Sequence, residues 1–124
     1  MASTLAYAAS AIVELWGLAH AIPTRQVIAG FEPISKDTRR IVLQEWLAEA
    51  FMMWGVATLV ITVTIAGGAG AHTTQWVYRI AAVLLIALAV LTSFTGARTT
   101  ITWFKICPLV QAGSAALLLA ASLL

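Results

Sequence analysis

Four blocks of apolar residues run along this chain, each long enough to cross a bilayer as a helix, which takes about 20 residues. The pattern predicts an all-α polytopic membrane protein, an antiparallel four-helix bundle forming one domain, with spans near 4–22, 41–66, 76–95 and 108–124. The breaks between blocks have physical causes. Pro23 and the polar run Ser35-Lys36-Asp37-Thr38-Arg39-Arg40 separate the first two spans, with Ser35 or Asp37 placed to cap the second. Glycines at 67, 68 and 70 separate the second from the third, since glycine costs about 1 kcal/mol at a helical position. Gly96 and the stretch from Arg98 to Lys105 separate the last two, and Pro108 suits the first turn of the fourth span. Val27 to Ile34 is too apolar for an ordinary solvated loop; it reads either as an interfacial turn or as a loop folded over the bundle mouth.

Composition fixes the solvent. Of 124 residues, 61% are apolar and 10% charged, against about 25% charged in soluble domains. Mean hydropathy is +0.95, which also excludes a disordered chain. The +2 net charge comes without a basic run interleaved with aromatics, so nucleic acid is not an expected partner. The first span lacks a basic leader and carries an acid, so no cleavable signal is expected. Cys107 is the sole cysteine, which excludes an intrachain disulfide and a thiolate metal cluster.

Charge also orients the spans. Arg25, Lys36, Arg39 and Arg40 fall in the first loop, Arg98 and Lys105 in the third, and of seven basic residues only Arg79 falls on the other side. Both basic loops are therefore expected in the cytoplasm and both termini outside.

The exceptions to the apolar pattern are the candidate chemistry. Glu14, Glu45 and Glu49 lie in predicted spans, where an acid costs about 2.5–3.5 kcal/mol at the helix centre. Counting along the helices puts Glu14 and Glu49 each about 13 Å above the cytoplasmic boundary. That equal depth predicts a deep pair sharing one proton, because like charges in a low dielectric do not both ionise. His20, Glu45 and Arg98 are expected together nearer the mouth. Polar pairs in membranes contribute only about 0.6 kcal/mol on average, so interhelical glue alone is a modest reason to keep three acids. A ligand, ion or proton role follows for Glu14 and Glu49, with His20 as the third acid–base candidate. Trp16 and Trp46 lie deep enough to pack the bundle or to cage a cationic or planar ligand. Trp54 reads the same way; Trp76 and Trp103 fit interfacial belts, and Arg79 is expected to snorkel outward. His20 and His72 lie on opposite sides, so one subunit cannot clamp a metal or haem between them; no cofactor or metal is expected.

Three segments, Trp16–Thr24 (WGLAHAIPT), Ile34–Glu49 (ISKDTRRIVLQEWLAE) and Thr95–Pro108 (TGARTTITWFKICP), resemble a group of small, uncharacterised bacterial four-span membrane proteins. In size, and in the acid opening the second span, the architecture is similar to DoxX-like membrane proteins. The resemblance implies a bacterial inner-membrane protein and transfers no activity.

Three functions fit these features. The first is binding or transport of a small lipophilic or cationic ligand, or of protons, through membrane-embedded carboxylates in a homo-oligomer. The second is an acid–base enzyme of isomerase or hydrolase type acting on a lipophilic substrate, and the third an accessory or assembly subunit of a larger membrane complex.

Overall fold

The computed structural model describes residues 1–124 and is all-helical, with four helices long and apolar enough to cross a membrane. α1 covers Ala2–Ala21, α2 Thr24–Ala29, α3 Lys36–Gly67, α4 His72–Phe94 and α5 Thr102–Ala121; a 3-10 turn, Gly96–Arg98, follows α4. The four apolar blocks and their breaks appear as expected, and the helix ends differ for local reasons.

α3 starts at Lys36 rather than Ile41, because Ser35 is the cap: its Oγ accepts the Thr38 amide at 3.0 Å. Its 32 residues make it about 48 Å long. The polar first turns extend the helix beyond its apolar block. α3 stops at Gly68, whose φ of 74° lies where an L side chain is strained.

At the other discrepancy, α5 begins at Thr102, which places Pro108 inside the helix instead of in its first turn. Proline lacks the amide that would meet the Phe104 carbonyl. Spanning helices tolerate such a break where neighbouring groups compensate. The segment after Pro23 is neither a turn nor a plain loop at its start: Thr24–Ala29 is helical, pinned by Ile28, which is 3% exposed.

The core is made of small side chains. Ala6, Ala9, Ala50, Ala57, Ala82 and Ala121 are almost fully buried, letting backbones approach. Large apolar residues such as Leu15, Ile80, Val83, Leu91 and Leu109 point outward, as a lipid-solvated bundle requires. α1 lies against both α3 and α5, α4 packs chiefly on α5, and its contact with α3 is lesser.

Polar ties fasten the end of the bundle bearing the 67–71 connection. Tyr78, fully buried, meets Thr64 Oγ1 at 2.6 Å. Arg79 reaches toward this end of the bundle, the direction a snorkelling side chain takes: its Nη2 donates to the Ser122 carbonyl at 3.1 Å, where α5 ends, and its guanidinium lies over Trp76, one turn nearer the start of α4. A cation there satisfies a terminal helix carbonyl.

Candidate functional site

A cavity of about 600 Å³ opens at the opposite end, where the C-terminus of α1, α2, the first half of α3, the end of α4 and the start of α5 converge. Trp16 and His20 come from α1, Trp46 and Glu49 from α3, Thr92 from α4, and Phe104 and Cys107 from α5. The side chains of Trp46 and Glu49 share a face because they are three residues apart on a helix; the same holds for Phe104 and Cys107.

His20 is fixed from two sides. Its ring stacks on Trp46, centroids 3.8 Å apart at 18°, and Trp46 Nε1 donates to the His20 carbonyl at 3.1 Å. His20 Nε2 lies 3.1 Å from the Trp46 carbonyl and 3.6 Å from Glu49 Oε2. Both neighbours are acceptors, so Nε2 carries the proton in this arrangement.

Glu49 is the hub. Gln111 Nε2 donates to its Oε1 at 3.4 Å, and Cys107 Sγ donates to the same oxygen at 4.0 Å. Behind them Trp16 Nε1 donates to Cys107 Sγ at 3.2 Å, and Thr92 Oγ1 donates to Gln111 Oε1 at 3.1 Å. Every apolar helix thus contributes to one network around a single carboxylate. The Glu49 side chain keeps 23% of its surface accessible while that of His20 keeps 8%, so the carboxylate is the more open of the two groups.

The remaining candidates fall elsewhere. Glu14 is exposed on α1 and lines no part of the cavity. The expected Glu14–Glu49 depth match gives way to a different register: Trp54 Nε1 donates to the Glu14 carbonyl at 3.2 Å, while His20 meets Trp46 and Glu49. Counting inward from Arg40 misjudged the level because the first turns of α3 project past the end of α1, so that Trp46, and not Arg40, stands level with His20. Glu45 is also exposed, 3.4 Å from Gln44 Nε2, and Arg98 is exposed over the Phe94 ring. Neither borders the cavity, so the mouth group of His20, Glu45 and Arg98 does not form.

Phe104, Thr92 and Gln111 carry the rest of the site and were not singled out by sequence, while Trp103, read as a belt residue, and Cys107, read only as the lone cysteine, also belong to it. Gln111, 1% exposed in an apolar helix, had a usable signal: a buried amide in a span needs partners.

No protein-family model, curated protein or solved structure matches this chain. The site must be interpreted from its own chemistry.

Proposed function

We propose that the chain is a small integral protein of the bacterial cytoplasmic membrane that binds a small ligand, or protons, through Glu49 with His20 beside it. The observation that carries this reading is the accessible Glu49 carboxylate on a cavity walled by Trp16, Trp46 and Phe104. Ligand pockets have volumes of about 300–1,000 Å³, apolar walls and few convergent polar groups. Groups kept only as glue would be buried against each other.

The bundle is antiparallel, with both termini outside and the basic loops in the cytoplasm. Two features support that arrangement: the sorting of the basic residues and the α1–α3 contacts, in which Glu14 meets Trp54 and His20 meets Trp46. Glu14 supports assembly into a homo-oligomer or with a larger membrane subunit, since its exposed carboxylate has no side-chain partner within the chain.

The test is titration of nanodisc-embedded protein with a panel of neutral and cationic aromatic probes, read by tryptophan emission from the cavity walls. Saturable quenching is expected in the wild type and its loss in Glu49→Gln. Undiminished binding in that variant overturns the reading. One observation favours an acid–base enzyme as the second reading: a carboxylate and an imidazole 3.6 Å apart on an apolar cavity can pass a proton to and from a lipophilic substrate. Conversion of an added lipid extract, followed by mass spectrometry, separates the two.

A further inference from the structure

The chemical class of the occupant can be taken further, on the footing that the cavity is a binding site. Its wall contains one acid, Glu49, and one imidazole, His20, and neither lysine nor arginine. An anionic ligand would therefore lie against a carboxylate with no fixed cation to offset it. The aromatic walls are Trp16, Trp46, Trp103 and Phe104. The indole N–H groups of Trp16 and Trp46 are committed to Cys107 Sγ and the His20 carbonyl. What these two indoles have left to offer is the negative ring face rather than a donor. The Thr95 hydroxyl is likewise spent on the Leu91 carbonyl of its own helix.

Ring faces and a partly desolvated carboxylate attract a positive charge on an apolar body. We infer that the cavity is a site for an organic ammonium ion, its cationic head near Glu49 and its apolar part among the four aromatic rings. The titratable groups facing Glu49 are His20 from α1 and Cys107 from α5; α4 presents only Thr92. His20 Nε2 has the Trp46 carbonyl as its acceptor at 3.1 Å and stands 3.6 Å from Glu49 Oε2, so the carboxylate is free to face the ammonium head.

The same chemistry is available from a free amine and from the choline headgroup of a lipid. The experiment uses benzyltrimethylammonium and its uncharged carbon isostere, neopentylbenzene, titrated into the protein in phosphatidylglycerol nanodiscs with tryptophan emission as readout. Empty discs correct for partitioning, and circular dichroism checks the fold of each variant. The cation is expected to bind about tenfold or more tighter than the isostere. That preference should collapse in Glu49→Gln and persist in Glu45→Gln, whose side chain lies outside the cavity.

Repeating the titration in phosphatidylcholine discs distinguishes the sources. Weakened cation binding there identifies the lipid headgroup as competitor, unchanged binding identifies a free amine, and both support an ammonium site. Equal affinity for the two probes in phosphatidylglycerol overturns the ammonium assignment while leaving a binding cavity in place. Binding of neither probe overturns the assignment and counts against the cavity as a binding site as well.

Discussion

Gly17 shows how one side chain's absence shapes the bundle. A Cβ at this position would lie 2.6 Å from Trp54 Nε1, the atom that donates to the Glu14 carbonyl. Glycine here is the condition for α1 and α3 to meet through an indole. Gly17→Val should lower thermal stability in detergent, because overpacking costs about 1–3 kcal/mol and outweighs a propensity gain below about 1 kcal/mol. An unchanged melting temperature would refute the close approach. At this scale the sequence was informative about kind and less so about partnership. His20, Glu49, Trp16 and Trp46 stand out because polar or amphipathic groups in apolar helices need a reason. Which acid meets which histidine depends on helix register and rotation, and neither is encoded in the spacing along one span. Hence Glu14 looked equivalent to Glu49, although its side chain points away from the site.

Among the elements, α3 and α5 carry the departures from the sequence pattern. Hydropathy marks where a helix becomes soluble in lipid, whereas Ser35 and its hydrogen bond to the Thr38 amide mark where it starts. Pro108 looked like a beginning because proline is favoured in first turns, yet Thr102–Cys107 precede it in the same helix. That extra length brings Phe104 to the cavity. The α3–α4 pair is held at its far end by Tyr78 and Thr64, 2.6 Å apart. Tyr78→Phe should cost about 0.6 kcal/mol, the usual size of a polar tie between membrane helices, because Thr64 still donates to Val60. A double-mutant cycle with Thr64→Val measures the coupling; a coupling of zero would mean the two hydroxyls are satisfied independently.

For the whole molecule, the uneven charge distribution is the strongest statement the chain makes. Four apolar helices were legible from composition and pattern because lipid imposes the same demands on any such chain. The cavity was not, since it exists only where five helices and the turn after α4 converge. Orientation can be checked directly in cells carrying Cys107→Ser. A membrane-impermeant maleimide should label Gly70→Cys from outside and leave Lys36→Cys unlabelled until the membrane is permeabilised. The reverse pattern would invert the bundle and place the cavity mouth outside.

The central claim is that Glu49, rather than Glu14, is the carboxylate that meets the ligand. Infrared difference spectroscopy on the nanodisc-embedded protein, with and without a bound probe, observes that carboxylate itself. Ligand-induced carboxyl bands should appear in the wild type, persist in Glu14→Gln and vanish in Glu49→Gln. Bands that survive Glu49→Gln, or that disappear with Glu14→Gln, would contradict the account.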